Sequence, residues 1–232
     1  MEKVVAALWC PGGQEYAAFT TGLLQRLVPA LRTAGGTGLR LNLRDAAVEP
    51  AAGLAQRWHE PDAVAQFWLP AANPRFFAGA EAALAAVSSR YAAWLVSEAT
   101  IIANAAHPPA PGARTWGWSQ ATFLAFRPDL APDAADAHWR THHTTVAIEA
   151  QANFEYVQNR MVRALTPAAP AYDAFVEECF APEAMTDPMA FFDAVGDEAK
   201  YQANLATMMD SCGGFIDFTR IDVIPTSQYD LG

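Results

Sequence analysis

The hydrophobic positions of this 232-residue chain change period several times, which indicates short strands alternating with longer helices. Strict alternation in Leu39-Arg-Leu-Asn-Leu-Arg44 is typical of a strand with one buried face. Residues 14–32 instead carry apolar side chains three or four positions apart, as on one helix face. The first half therefore predicts the order β-α-β-β-α-β. Its strands are predicted at 4–9, 39–44, 63–69 and 100–103, and its helices at 14–32 and 75–98.

The second half predicts the same order of elements. Its strands are predicted at 120–126, 154–162, 172–180 and 218–225, and its helices at 132–151 and 188–209. Asp133 lies near the start of the first of these helices, and Gly213 and Gly214 end the second. Residues 108–112, rich in Pro and Ala, form the natural linker. We therefore predict an N-terminal unit at residues 1–107 and a C-terminal unit at residues 113–232.

The order β-α-β-β-α-β is that of a ferredoxin-like unit, which has helices on one face of a four-stranded antiparallel sheet. Asp62-Ala-Val-Ala-Gln-Phe-Trp68 aligns with Asp173-Ala-Phe-Val-Glu-Glu-Cys179 in the other half. Because the bare faces of two such sheets must be buried, we expect them to pack on each other. The predicted fold class is α+β, with two ferredoxin-like units in tandem forming an α/β barrel that has a cavity between its sheets.

Composition and charge narrow the class of protein. Hydrophobic residues make up 52% and charged residues 17% of the chain, which favours a large core over disorder. The net charge of −10 argues against nucleic acid or an anionic membrane as a partner. Cys10, Cys179 and Cys212 are few and widely spaced, as in a reducing compartment. Since neither a signal peptide nor a membrane span is evident, we expect a soluble, cytoplasmic protein.

Histidines are concentrated in one short segment. Three of the five, His138, His142 and His143, lie within six residues of the predicted helix 132–151. Histidine is the side chain best suited to carrying protons near neutral pH. The corresponding helix of the first half has none. The pattern therefore predicts one working pocket per chain, in the C-terminal half.

Four motifs in the second half resemble those of the EthD family, and the resemblance covers roughly residues 120–226. They are Trp139-Arg-Thr-His-His143, Tyr156-Val-Gln-Asn-Arg160, Tyr172-Asp-Ala-Phe-Val-Glu177 and Phe215-Ile-Asp-Phe-Thr-Arg220. One position departs from the pattern, because Ala174 stands where the family usually has Gly. The first half looks like a degenerate copy that lacks the Trp-x-x-x-His helix and has Gln66 in the position of Glu177.

The resemblance implies a dimeric α/β barrel, here one pseudo-dimer within the chain, and we expect two such chains to pair as a homodimer. The family and its barrel relatives include cofactor-independent decarboxylases, dehydratases and cyclases that act on aromatic or polyketide-like molecules. We therefore expect no cofactor and an apolar aromatic small molecule as substrate. Fold alone does not fix the reaction, so the residues must be considered one by one.

Helical spacing separates the histidines into two groups. Trp139 and His143 share one face, whereas His138 and His142 share another, displaced by about 100°. The resemblance favours Trp139 and His143 as the inward pair, so His143 is the first candidate for the proton carrier and His142 the second.

His138 and His142 also have the spacing of two metal ligands. No third ligand is evident, so no metal is predicted. The helix 188–209 has no histidine to serve as an axial heme ligand.

Strand alternation supplies the other candidates. Asp173, Phe175, Glu177 and Cys179 share one face of their strand, and Tyr156, Gln158 and Arg160 share one face of theirs. A carboxylate that faces an apolar cavity has a raised pKa and can exchange protons. The resemblance favours Glu177 as this catalytic carboxylate, because it matches the family position. A salt bridge between Glu177 and Arg160 is the alternative. Tyr156 is the second candidate partner of His143, whereas Trp139, Gln158, Arg160, Asp173 and Phe175 are predicted to bind substrate.

These residues lead to one functional hypothesis with two alternatives. The hypothesis is a cofactor-independent lyase that acts on an aromatic or polyketide-like molecule, by elimination of water or by decarboxylation, through histidine acid–base catalysis. An isomerase or cyclase would use the same residues. The alternatives are a non-catalytic barrel that binds a hydrophobic metabolite or stabilises a partner, and a cofactor-free monooxygenase.

Overall fold

Eight antiparallel strands close into a barrel, with helices packed around it, in the computed structural model, which describes residues 1–232. The strands are β1 (Glu2–Trp9), β2 (Thr37–Leu43), β3 (Ala63–Leu69), β4 (Arg90–Ile102), β5 (Trp118–Phe126), β6 (Glu155–Ala164), β7 (Ala174–Phe180) and β8 (Ile216–Asp230). The α-helices are α1 (Tyr16–Gly22), α2 (Val28–Thr33), α3 (Pro74–Ala85), α4 (Pro132–Ala137), α5 (Thr144–Ala150), α6 (Pro188–Phe191) and α7 (Glu198–Gly213). Two π-helical turns, Leu23–Leu27 and His138–His143, connect α1 to α2 and α4 to α5. Two 3-10 helices lie at Ala46–Leu54 and Pro182–Met185.

The strand order confirms the predicted fold class. Around the barrel the strands follow the order β1-β3-β2-β8-β5-β7-β6-β4. Each half contributes four neighbouring strands in equivalent order, β4-β1-β3-β2 and β8-β5-β7-β6. The two longest strands close the barrel, because β4 pairs with both β1 and β6, and β8 with both β5 and β2.

The predicted helix at 75–98 is wrong in its second half. Helix α3 ends at Ala85, and the chain re-enters the barrel as β4, which also includes residues 100–102 of the strand predicted at 100–103. Side chains of β4 alternate, since Ala93 packs against the helices and Trp94 against the barrel interior. Alanine fits both periods, so the Ala-rich sequence concealed the change from helix to strand.

The predicted helix at 188–209 is also interrupted. Helix α6 ends at Phe191, and α7 begins at Glu198, with positive φ angles of 50° at Asp193 and 79° at Gly196 in between. The Asp197 side chain accepts a hydrogen bond from the Lys200 N–H and so caps α7. Asp133, by contrast, lies in the first turn of α4 and does not cap it.

The two faces of the barrel wall are packed differently. Outside, one apolar cluster packs between sheet and helices in each half. Inside, an apolar cluster including Trp94, Phe123 and Phe175 fills one end, where the sequence had predicted a cavity between the sheets. The other end of the interior is polar and opens into a cavity of about 550 Å³. No helix of the structure has the length and apolar character needed to cross a membrane.

Candidate active site

A largely apolar cavity of about 440 Å³ lies on the outer face of β5–β8, beneath the helices of the C-terminal half. Seventeen of its 25 lining residues are hydrophobic. The partly exposed side chains of Leu54, Met209 and Phe218 also line it. This volume and lining suit a small apolar ligand. The few polar groups in the cavity therefore decide its chemistry.

The π-helical turn His138–His143 supplies one wall of this cavity. Trp139 and His143 are both buried and line it, whereas His142 is exposed on the protein surface. The His138 ring is half-buried, and its Nε2 atom lies 3.0 Å from the Ser211 carbonyl oxygen. Of the three clustered histidines, only His143 reaches the cavity. π-helical turns are rare and occur frequently at functional sites.

His143 is held as a neutral ring. Its Nδ1 lies 3.0 Å from Ser211 Oγ on α7, and its ring centroid is 4.9 Å from that of Phe215. Burial lowers the pKa of His143 to about 4, with a further decrease from the neighbouring His138 and His142. At neutral pH the ring can therefore donate or accept a hydrogen bond, but it carries no charge.

Tyr156 faces the same cavity from β6. Its hydroxyl accepts a hydrogen bond of 2.7 Å from Gln158 Nε2, which also donates to Thr144 Oγ1 at 2.8 Å. Burial, together with the nearby Glu178, raises the pKa of Tyr156 above its usual range. Tyr156 is therefore a neutral phenol, and Gln158 orients its hydroxyl from beneath the helix.

Glu178 is the acidic side chain of the cavity, and the sequence did not identify it. It lies on β7 directly opposite Tyr156 on β6 and Gln120 on β5. Its carboxyl accepts hydrogen bonds from Asn153 Nδ2 at 2.9 Å and Gln120 Nε2 at 3.4 Å. Burial nevertheless raises the pKa of Glu178 to about 7, against the effect of these two donors. A carboxyl group in this state can both take and give a proton at neutral pH.

Glu177 lies on the opposite face of the barrel wall and does not share a cavity with His143. Its carboxylate accepts hydrogen bonds of 2.9 Å from Arg40, Gln66 and Gln228 in the polar interior. Burial alone would raise the pKa of Glu177, but Arg40 and the amide donors outweigh burial and lower it to about 2. The expected alternative partner, Arg160, is not involved, because Glu177 forms its ion pair with Arg40.

The remaining predicted ligand-binding residues also lie away from the cavity. Arg160 forms ion pairs with Asp136 at 3.0 Å and Asp173 at 3.4 Å, which tie α4 to the sheet. Asp173 also accepts a hydrogen bond from the Phe126 N–H. Phe175 packs inside the barrel, with its ring centroid 4.7 Å from that of Phe123. Of the nine predicted site residues, the structure brings Trp139, His143 and Tyr156 together in the cavity, with Gln158 behind Tyr156.

Sequence reasoning also missed the far wall of the cavity. Met208 and Cys212 of α7 line it, and burial raises the pKa of Cys212 to about 12, so its thiol stays protonated. The register of β6 against β7 is the signal that would have found Glu178, since it places Glu178 opposite Tyr156. No group of three or more His, Cys, Asp or Glu side chains is arranged to hold a metal ion.

Comparison with known proteins gives a family match for part of the chain and two solved structures of similar fold. Residues 127–219 match the model of the EthD domain. No curated protein shows significant similarity to the sequence. Among solved structures, an anthrone oxidase-like protein has a TM-score of 0.53 at 9% identity, with 100% of this chain and 93% of that chain covered. A protein described as a candidate monooxygenase from Lactobacillus acidophilus NCFM has a TM-score of 0.50 at 10% identity, with 100% and 96% covered.

At these identities the two solved structures show a shared fold and nothing more. The matched segment contains 18 of the 25 residues that line the cavity, among them those of the π-helical turn, β6, β7 and α7. That residues 1–107 are a degenerate copy of the same unit stays a prediction. The resemblance inferred from the four motifs is confirmed to this extent: residues 127–219 match the EthD domain model.

Proposed function

We propose that this chain is a cofactor-independent enzyme that removes and returns a proton on an apolar aromatic small molecule. The observation that carries the proposal is Glu178, a carboxyl group with a pKa of about 7 in a predominantly apolar cavity. A general base or acid works best when its pKa lies near the working pH. The cavity volume of about 440 Å³ is within the range that accommodates small-molecule ligands.

The reaction that we place first is a lyase reaction. The Glu178 carboxylate takes a proton from a C–H group of the substrate, and the C–H electron pair forms the new double bond as the leaving group departs. In a dehydration, the protonated carboxyl then gives its proton to the leaving hydroxide, so that water is released. His143 and Tyr156, both neutral, can hold substrate oxygens by hydrogen bonds. Their placement in the same cavity supports this division of roles.

A cofactor-free monooxygenase is the second candidate, and the descriptions of the two solved structures favour it. Here the same proton removal would give a carbanion that reacts with O₂. A ring methylene group and O₂ would yield a carbonyl group and water, so the substrate itself supplies the electrons. Both candidates begin with Glu178 acting as a base, and they differ in where the electron pair of the broken C–H bond goes.

The shared first step can be tested without knowing the natural substrate. We expect the protein to accelerate exchange of the acidic methylene protons of 2-tetralone in D₂O under nitrogen, followed by proton NMR. Glu178→Gln should slow the catalysed exchange by roughly 100-fold or more. Glu149→Gln removes an exposed carboxylate on α5 and should leave exchange unchanged. Binding of 2-tetralone without catalysed exchange would contradict the proposal and favour a non-catalytic binder.

Oxygen uptake separates the two candidates. Anthrone is the probe, because it carries an acidic ring methylene group. Uptake that requires Glu178 would favour the monooxygenase, whereas exchange without uptake would favour the lyase.

A further inference from the structure

Thr122 on β5 carries a buried hydroxyl group that has no partner in the protein. Its side chain lines the cavity, only 7% of the residue is exposed, and Oγ1 forms no hydrogen bond. Buried polar groups are nearly always hydrogen-bonded, so an orphaned hydroxyl group requires an explanation. It differs in this respect from the cavity's other hydroxyl on the sheet, that of Tyr156, which Gln158 satisfies.

The surroundings of Thr122 leave only the cavity as a source of a partner. Val176 on β7 and Val223 on β8 lie directly opposite Thr122 on its two sides. Both side chains are apolar. Gln120, two residues away on the same face, already donates to Glu178. Oγ1 itself is almost wholly covered, so a rotation about χ1 must accompany its hydrogen bond to a molecule in the cavity.

Thr122 also lies close to the proposed base. Gln120 is directly opposite Glu178, so Thr122 is the diagonal neighbour of Glu178 across the β5–β7 pair. Such diagonal positions are about 7–8 Å apart in the backbone, and their side chains can be closer. A substrate atom hydrogen-bonded to Thr122 thus places the adjoining one or two atoms beside the Glu178 carboxyl.

We propose that Thr122 binds an oxygen of the substrate, and that this oxygen lies on the carbon next to the one that Glu178 deprotonates. This inference rests on the proposed function and narrows its substrate to an aromatic ring compound with a carbonyl group. When Glu178 removes the C–H proton, the C–H electron pair delocalises onto that oxygen as an enolate. The Thr122 hydroxyl donates a hydrogen bond to it and stabilises its negative charge.

A matched pair of probes tests the contact by equilibrium dialysis. The probes are 2-naphthol and 2-methylnaphthalene, which are similar in size and differ in the oxygen. Since one hydrogen bond corresponds to about a tenfold change in affinity, the protein should prefer 2-naphthol by about tenfold. Thr122→Val, which keeps the side-chain shape, should abolish this preference, whereas Thr122→Ser should retain it. Thr145→Val, at an exposed helix position, is the control and should leave the preference unchanged.

The outcomes separate this inference from the proposed function. Equal binding of both probes to the unaltered protein, or a preference that survives in Thr122→Val, would overturn the role of Thr122 and leave the aromatic cavity intact. Binding of neither probe would contradict the claim that the cavity binds an aromatic molecule, and it would overturn the role of Thr122 as well. Loss of the preference in Thr122→Val alone supports the proposed contact.

Discussion

Two adjacent glutamates illustrate how position, and not residue type, sets chemistry in this protein. Glu177 points into the polar interior, where Arg40 and several amides hold its pKa at about 2. Glu178 points to the apolar cavity, where burial raises its pKa to about 7. One peptide bond separates the two side chains, and strand alternation sends them to opposite faces. Only Glu178 is suited to exchange protons at neutral pH.

The raised pKa of Glu178 predicts a pH-dependent effect on stability. Because the folded state holds this proton more tightly than the unfolded chain, whose pKa is about 4.5, stability is lost as pH rises from there through about 7. Glu178→Gln cannot ionise, so it should raise the free energy of unfolding at about pH 8, by up to the order of 3 kcal/mol. Near pH 4 the gain should vanish.

Urea unfolding at both pH values measures the difference in the free energy of unfolding between Glu178→Gln and the parent protein. Glu149→Gln is the control. An equal effect at the two pH values would argue against a raised pKa.

At the scale of elements, the first helical segment of each half is interrupted by a π-helical turn. In the first half, Leu23 and Leu27 of this turn are buried in the core. In the second, Trp139 and His143 occupy the turn and line the cavity. The same local structure therefore serves packing in one half and the candidate site in the other.

The sequence predicted the elements with unambiguous patterns. Strand β3 (Ala63–Leu69) lies where predicted, because its flanking residues and apolar run favour only a strand. The Ala-rich segment 75–98 was ambiguous, and half of it is β4. Glu178 could not be selected from sequence, since alternation separates it from Glu177 but does not say which face the helices cover. That choice depends on long-range register and packing, which single-sequence patterns do not contain.

The turn into β5 provides a prediction about folding. Gly117 has a φ of +81°, and a Cβ there would lie 2.0 Å from the Phe180 carbonyl oxygen. Gly112 has a similar φ of +77° but open space around it. Gly117→Ala should therefore lower the free energy of unfolding by at least about 2 kcal/mol more than Gly112→Ala, because backbone must move in addition to the strain of positive φ. Similar losses in thermal or urea unfolding would show that the clash is relieved at little cost.

At the scale of the whole molecule, the two halves differ in how the layer between sheet and helices is packed. The helix–sheet layer of the first half is filled by a cluster of 22 buried residues, whereas that of the second half contains the cavity. Inside the barrel, Arg40 and Gln66 of the first half bind Glu177 of the second. The interior network thus joins the halves, and the helix-covered face of the second half carries the candidate site.

The titration of the two adjacent carboxyl groups tests the central claim most directly. Carbon-13 NMR of protein labelled at the glutamate carboxyl carbons would follow both groups, with Glu178→Gln and Glu177→Gln used to assign their resonances. The structure predicts a midpoint near pH 7 for Glu178 and an ionised Glu177 down to about pH 2. A Glu178 midpoint at its ordinary value of about 4.5 would contradict its role as the proton carrier of the cavity.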